Sequence, residues 1–161
     1  MKLESSVIPQ ANELTRVLKI PILITDGCVT ASQIAPQLGF SVRQASYYIA
    51  ASTLLGLIQK KAGDSCYELS VLGKDFISRG TTQKKDLALA AIEHLEIFKE
   101  IFEINKKKFS KKEIASIIRE KSGLSVATAE RRADTIISWV FWLAHHFPHL
   151  YEIEDGLVSH K

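Results

Sequence analysis

Apolar residues recur every three or four positions along most of this 161-residue chain, which is the spacing of helices that bury one face. This spacing predicts helices over residues 12–20, 30–38, 41–55, 70–77, 83–104, 110–121 and 126–147. Two prolines fall within the pattern. Because proline lacks a backbone N–H, Pro21 is expected to end or bend the first helix and Pro36 to make the second one irregular. The chain is therefore expected to be mainly α-helical.

Two stretches alternate between apolar and polar residues instead, as strands do. Leu57–Lys61 and Cys66–Leu69 flank a short polar turn, and Leu150–Ile153 and Leu157–Val158 flank a turn that contains Asp155-Gly156. Asp-Gly is among the strongest signals for a tight hairpin turn. Each stretch is therefore predicted to form a small β-hairpin, and each hairpin follows a pair of predicted helices.

The most informative feature of the pattern is that it occurs twice. A hydroxyl residue, an Ile-Ala pair, a glycine, a Ser-Val pair and an alanine share one order in both halves: Thr30, Ile34-Ala35, Gly39, Ser41-Val42 and Ala45, then Ser110, Ile114-Ala115, Gly123, Ser125-Val126 and Ala129. Ser and Thr cap helix starts and glycine ends helices, so the repeat predicts two helix-turn-helix motifs. The second copy has four extra residues before its glycine. Four residues are about one helical turn, which leaves the apolar face unrotated.

A hairpin directly after the second helix of such a motif is a wing. We therefore predict two winged helix-turn-helix units in tandem, one over residues 1–80 and one over residues 81–161. The break is expected near Arg79-Gly80, where a glycine interrupts the helical spacing.

The second helix of a helix-turn-helix enters the major groove of DNA, so its inner face is apolar and its outer face carries hydrogen-bonding side chains. The inner faces are expected to consist of Val42, Ala45 and Ile49 in the first copy and Val126, Ala129 and Ala133 in the second. The candidate DNA contacts are the side chains expected to point outward: Ser41, Arg43, Gln44 and Tyr47, then Ser125, Thr128, Arg131 and Arg132. Arg commonly reads guanine and Gln reads adenine. The competing interpretation is an ordinary solvated helix face.

Lysines are concentrated just before the second motif, in the run Lys106-Lys107-Lys108-Phe109-Ser110-Lys111-Lys112. The first helix of the motif crosses the DNA backbone, so Lys107, Lys108, Lys111 and Lys112 are expected to contact phosphates without reading sequence. Lys60 and Lys61 are expected to do the same from the first wing. The alternative for both groups is a solvated lysine loop.

The remaining composition narrows the function classes. The formal net charge is +3 and the isoelectric point about 8.8, which permits nucleic-acid binding without requiring it.

Cys28 and Cys66 lack metal or redox spacing, and His145, His146 and His149 have no acidic or thiol partner at a metal spacing, so no metal or cofactor is expected. The sequence contains no phosphate-binding glycine loop, no H-E-x-x-H motif and no G-x-S-x-G motif, so no enzymatic activity is expected. No apolar run reaches the roughly 18 residues of a membrane span, and the first residues lack a signal-peptide layout, so a cytoplasmic location is expected.

Two runs of residues resemble a known family. The first half of the chain resembles bacterial winged-helix DNA-binding domains. The resemblance is carried by Ile34-Ala35-x-x-Leu38-Gly39-Phe40-Ser41-x-Arg43-Gln44-x-x-Tyr47-Tyr48, followed by Leu55-Gly56-Leu57-Ile58 and Tyr67-Glu68-Leu69-Ser70-x-Leu72-Gly73-Lys74. The run Ser125-x-x-Thr128-Ala129-x-Arg131-Arg132-Ala133-x-Thr135-x-x-Ser138-Trp139 resembles a second such domain. Over residues 12–158 the pair is similar to the tandem winged-helix modules of prokaryotic restriction endonucleases and related defence proteins. That resemblance implies DNA target recognition.

The sequence thus favours sequence-preferring binding of double-stranded DNA, by a monomer or a homodimer. The chain is expected to act either as a transcription regulator or as the recognition component of a restriction-type system with a nuclease or other protein partner. The alternative is a winged-helix adaptor that binds proteins and not DNA. A small nuclease is a third hypothesis, and it requires a carboxylate cluster that the sequence does not indicate.

Overall fold

The computed structural model describes residues 2–63, 65–103 and 107–161. The described chain is mainly helical and contains two small antiparallel hairpins, which confirms the predicted fold class at that level. The helices are α1 Leu14–Thr25, α2 Ala31–Leu38, α3 Val42–Leu54, α4 Val71–Ser78, α5 Thr81–Glu93, α6 Glu96–Phe98, α7 Lys111–Ser122 and α8 Val126–His146. The strands are β1 Ile58–Lys60, β2 Tyr67–Leu69, β3 Tyr151–Glu154 and β4 Leu157–His160.

The contacts divide the chain into two compact units. The α3 unit consists of Thr15–Ala91, and the α8 unit consists of Met1–Leu14 together with Ile92–Lys161. The sequence prediction drew one break after residue 80. The structural division instead falls within α5, and it groups the N-terminal segment with the C-terminal part of the chain.

The α3 unit is built on paired helix caps. Thr30 caps α2 and Ser41 caps α3, and in each case a glutamine three residues later, Gln33 or Gln44, returns a side-chain bond to the cap residue. Such capping boxes satisfy backbone N–H groups that have no partner within the helix. Gly39 ends α2 at φ 72°, a left-handed conformation that glycine adopts without strain. The turn between the two helices is therefore fixed by local chemistry.

The core of the α3 unit lies along α1, α2 and α3. Val17, Ile34, Ala45 and Ile49 are buried there. The sequence predicts that Pro21 ends or bends helix α1. The helix continues through Pro21 to Thr25, so the expected end at this proline is wrong. Helix α2 likewise includes Pro36. Strands β1 and β2 pair with Ile58 opposite Leu69 and Lys60 opposite Tyr67.

The α8 unit has an aromatic core. Phe98, Phe102, Phe109, Trp139 and Tyr151 are each at most 3% exposed and lie in ring contact with one another. The Trp139 indole N–H donates to the Ala11 carbonyl at 2.7 Å, which satisfies its one polar group. The N-terminal segment is thereby fastened to α8.

The predicted helix over residues 83–104 is interrupted, so this prediction is wrong as a single element. Helix α5 ends at Glu93, Leu95 has an extended ψ of 132°, and α6 is followed by a π-type turn over Lys99–Glu103. The apolar spacing continues across the break because the side chains on both sides are buried, and spacing alone cannot show a change in backbone direction. Ile104 lies outside the described residues.

The repeated element order is present in both units. Helices α2 and α3 precede the hairpin β1–β2, and α7 and α8 precede the hairpin β3–β4. Helix α7 has 12 residues and α2 has 8, so the four-residue insertion lengthens the helix by about one turn, as predicted. The predicted Asp-Gly turn joins β3 and β4, with Asp155 at φ 53° and Gly156 at φ 74°.

Candidate nucleic-acid interface

The start of α3 presents polar side chains to solvent. Ser41, Arg43 and Gln44 are exposed and Tyr47 is half-exposed, while Ala45 is fully buried between them in sequence. This alternation follows from the helical period, because residues three and four apart share a face. The structure therefore gathers the four predicted contacts of the first copy at one end of one helix.

Arg43 is held along the surface of α3. Its guanidinium donates a hydrogen bond to the Tyr47 hydroxyl one turn later, and this bond raises the pKa of Arg43 above its ordinary value. The side chain is fully exposed, so the charge remains in water and available to an anionic partner.

Gln44 has a structural role that the sequence analysis did not assign. Its Oε1 accepts the Ser41 backbone N–H at 3.2 Å, and the Gln44 backbone N–H donates to Ser41 Oγ at 3.2 Å. A bidentate contact to adenine needs both the amide oxygen and the amide N–H₂. Because the oxygen is engaged in the cap, the geometry favours a contact from the Gln44 N–H₂ group alone.

Val42 and Val126 do not pack inward, which corrects the predicted inner faces. Val42 is 49% exposed and Val126 is 51% exposed. Each valine directly follows its cap serine and is the first residue of its helix. It therefore precedes the buried apolar face, which begins with Ala45 in α3 and Ala129 in α8. The apolar seam of each helix therefore starts with an alanine, both of which are 0% exposed.

The hairpin of the α3 unit carries two exposed lysines. Lys60 is the last residue of β1, and the Lys61 N–H donates to the Cys66 carbonyl at 2.9 Å. The backbone is thus fixed while both ammonium groups extend into solvent. Asp64, in the predicted turn, lies outside the described residues.

The start of α8 repeats this arrangement in part. Ser125 caps the helix through the Thr128 N–H at 3.3 Å, and the Ser125 hydroxyl also donates to the Thr128 hydroxyl. Arg131 is exposed and its Nη2 donates to Thr128 Oγ1 at 3.4 Å. Ser125, Thr128 and Arg131 therefore lie together, as predicted for one helix end.

Arg132 does not point outward, so its predicted DNA contact is wrong. The residue is only 8% exposed, and its Nη1 donates to the carbonyl oxygens of Ser5 at 2.7 Å and Ile8 at 2.6 Å. A buried guanidinium needs acceptors to replace water, and these carbonyls supply them. Arg132 anchors the N-terminal segment to α8.

The predicted lysine cluster is largely paired with carboxylates. Lys108 lies 3.1 Å from Glu154, Lys111 lies 2.9 Å from Asp134, and Lys107 lies 3.7 Å from Glu113. The Glu154 carboxylate raises the pKa of Lys108, and the Lys108 ammonium in turn lowers the pKa of Glu154. Lys112 is exposed and Lys106 lies outside the described residues. Exposed ion pairs of this kind are weak and can be exchanged for phosphate, but they reduce the net positive field.

The formal charge differs between the two units. The α3 unit contains nine Lys and Arg and five Asp and Glu, a net charge of +4. The α8 unit contains twelve Lys and Arg and thirteen Asp and Glu, a net charge of −1. The basic excess of the chain therefore belongs to the α3 unit.

A polar cluster that no sequence motif indicates lies in the α8 unit. The Tyr151 hydroxyl donates to Glu93 Oε2 at 2.9 Å, and His160 Nε2 lies 3.5 Å from the same oxygen. Burial, and secondarily the Glu93 charge, raises the pKa of Tyr151 far above its ordinary range. The cluster lines a cavity of about 280 Å³ with Phe98 and Phe102. No local motif connects these residues, because they come together only through the tertiary fold.

The described residues also bear on metal binding, on the two cysteines and on membrane-spanning helices. Within residues 2–63, 65–103 and 107–161, no group of three or more His, Cys, Asp or Glu side chains is arranged to hold a metal ion. Cys28 and Cys66 are half-buried and are not joined in a disulfide. Among the same residues we find no helix that combines the length and apolar character of a membrane span.

Comparison with known proteins identifies a family but no characterised relative. Neither the curated proteins nor the solved structures contain a significant match to this chain. One family matches residues 16–147, which is most of the sequence. The chain therefore belongs to the family described as "Domain of unknown function (DUF7226)".

Proposed function

We propose that this protein binds double-stranded DNA with partial sequence preference, and that its two helix-turn-helix units act as winged helices. We further propose that the α3 unit is the principal reader. The observation that carries the proposal is the start of α3, where exposed Arg43 and Gln44 lie on a helix that has no carboxylate anywhere in Val42–Leu54.

In this proposal α3 enters the major groove by its N-terminal end. The Arg43 guanidinium donates to guanine, and the Gln44 N–H₂ group donates to an acceptor on a neighbouring base. Lys60 and Lys61 neutralise phosphates from the hairpin, since both ammonium groups are exposed. The net charge of +4 attracts the duplex to this unit before the helix docks.

The α8 unit is proposed as a second, weaker reader. Arg131 and Thr128 occupy the positions of Tyr47 and Gln44. Lys112 is exposed and supplies a phosphate contact, and Lys107, Lys108 and Lys111 do so once their carboxylate partners are exchanged. Two readers on one chain suit a long, non-palindromic site. A regulator needs such recognition, and so does the recognition component of a restriction-type system whose nuclease is a separate partner.

A protein-binding adaptor is the second candidate. The net charge of −1 on the α8 unit and the internal pairing of its lysines favour it, because a surface neutralised in this way attracts phosphate weakly. In this case the helix-turn-helix scaffold presents its exposed helix ends to another protein.

The salt dependence of binding to random-sequence duplex DNA separates the two candidates. The full chain is titrated against a fluorescent duplex between about 50 and 200 mM salt, and the dissociation constant is measured by anisotropy. DNA binding through several Lys and Arg contacts predicts a loss of affinity of at least about ten-fold over this range. Absence of duplex binding at the lowest salt would contradict the proposal and favour the adaptor.

A further inference from the structure

Two valines hold equivalent positions in the repeated motif. Val42 and Val126 are the first residues of α3 and α8, and about half of each side chain is exposed to water. Their cap serines have nearly the same backbone, with φ −68° and ψ 163° at Ser41 and φ −63° and ψ 161° at Ser125. The backbone that precedes each valine therefore has nearly the same conformation.

We propose that Val42 and Val126 contact the 5-methyl group of a pyrimidine in the major groove, which in unmodified DNA is thymine. This inference rests on the proposed DNA binding and names one base feature that each reader selects. The 5-methyl group is the only apolar feature among the base edges of the major groove, and small apolar side chains recognise it. Valine has no hydrogen-bonding group in its side chain, so it can select among base pairs only through this methyl.

The neighbours of Val42 distinguish it from an ordinary exposed apolar residue. Arg43 and Gln44 directly follow Val42 and are exposed beside it, so a helix end that brings them to base edges also brings the valine there. Val71 is the matched contrast. It is the first residue of α4 after a cap serine and is 87% exposed, but α4 is not a proposed reading helix.

The test replaces thymine by deoxyuridine, which removes the methyl group and leaves the hydrogen-bonding edge unchanged. A duplex that the full chain selects from a random library is synthesised with each thymine replaced in turn. Burying one methyl-sized group is expected to change affinity about four-fold, so at least one replacement should weaken binding of the unaltered protein by about this factor.

Substitution of the valines assigns the effect. Val42→Ala and Val126→Ala shorten an exposed side chain and should leave the fold intact. At the position that its valine contacts, each should show a clearly smaller difference in affinity between the thymine and deoxyuridine duplexes, because the alanine methyl extends less far toward the base than the valine side chain. Val71→Ala should keep the full discrimination of the unaltered protein. Loss of discrimination in Val71→Ala, or its retention in both Val42→Ala and Val126→Ala, would overturn the assignment.

Two further probes complete the test. Duplexes with cytosine or 5-methylcytosine at the sensitive position separate the two sources of a pyrimidine methyl, and the proposal requires tighter binding of the methylated form. Salt-dependent duplex binding without any effect of deoxyuridine would overturn this inference and leave the proposed DNA binding intact. Absence of binding to any duplex would remove both.

Discussion

The two units share an element order and differ in the side chains at the start of the second helix. Both have serine-capped second helices and a two-stranded hairpin. By the repeat, Arg43 in α3 corresponds to Ala127 in α8, and Ser46 corresponds to Glu130. The start of α3 therefore has the Arg43 guanidinium and no carboxylate. The start of α8 has the Glu130 carboxylate at the position where α3 has the Ser46 hydroxyl. The same element order thus carries two helix ends that differ in charge.

A buried position shows the same divergence. Tyr48 and Arg132 are equivalent by the repeat, and each is 8% exposed. Tyr48 packs against Phe40 with ring centroids 4.7 Å apart, whereas Arg132 binds two carbonyls of the N-terminal segment. The comparison shows that α3 packs within its own helix-turn-helix, while α8 also serves as the attachment for residues distant in sequence.

The largest effect is expected from Arg132→Ala. Removal of the guanidinium takes a charged hydrogen-bond donor from both the Ser5 and Ile8 carbonyls, although the Ser5 carbonyl keeps the Ile8 backbone N–H at 3.2 Å. This loss should lower the free energy of unfolding by about 2–4 kcal/mol. Urea denaturation followed by tryptophan fluorescence measures this, because both tryptophans, Trp139 and Trp142, belong to the α8 unit. The adjacent Arg131→Ala is the control and should change stability by less than about 0.5 kcal/mol. Equal effects of the two substitutions would show that Arg132 is not an anchor.

The next effect concerns the DNA affinity of the two reading helices. Arg43→Ala should weaken binding to a selected duplex about ten-fold and relax the preference at one or two base positions, since a base contact of this kind contributes about 1–3 kcal/mol of discrimination. Arg131→Ala should have a smaller effect, about two- to three-fold, because its guanidinium is next to Glu130 and a weaker field surrounds it. Selection from a random duplex library with each variant measures both quantities. An Arg43→Ala variant with unchanged affinity and motif would exclude α3 as the reader.

The smallest effect separates the exposed lysines of the β1–β2 hairpin from the lysines that are paired with carboxylates. Lys60→Ala and Lys61→Ala should each lower the slope of log affinity against log salt by about 1, as loss of one phosphate contact does. Lys108→Ala and Lys111→Ala should lower it by less, since each loss also releases Glu154 or Asp134 and weakens attraction to phosphate mainly through net charge. Anisotropy titrations at several salt concentrations provide the slopes. Larger changes for the paired lysines would reverse the proposed ranking of the units.

The elements that local chemistry determines could be predicted from the sequence. The hydroxyl caps at Thr30, Ser41, Ser110 and Ser125 all begin helices, and the Asp-Gly turn joins a hairpin. These features depend on neighbouring residues only, so a repeat of residue types implies a repeat of structure. The four-residue insertion could be placed in α7 for the same reason.

The features that depend on distant residues could not be predicted. Arg132 has the spacing of an outward residue next to Arg131, and only the position of Ser5 and Ile8 shows that it is buried. The break at Leu95 is hidden because apolar spacing continues on both sides of it. The helical spacing places Val42 on the same face as Ala45, but Val42 precedes the buried part of that face and is exposed. Of the candidate site, the helix ends were therefore predictable and the partners of individual side chains were not.

The central claim is that the α3 unit is the principal DNA reader. The most direct test follows the backbone amide resonances of the ¹⁵N-labelled full chain during titration with duplex DNA at low salt. We expect the largest shifts at residues 41–47 and at Lys60 and Lys61, with smaller shifts at residues 125–131. Duplex binding that leaves residues 41–47 unshifted would contradict the claim.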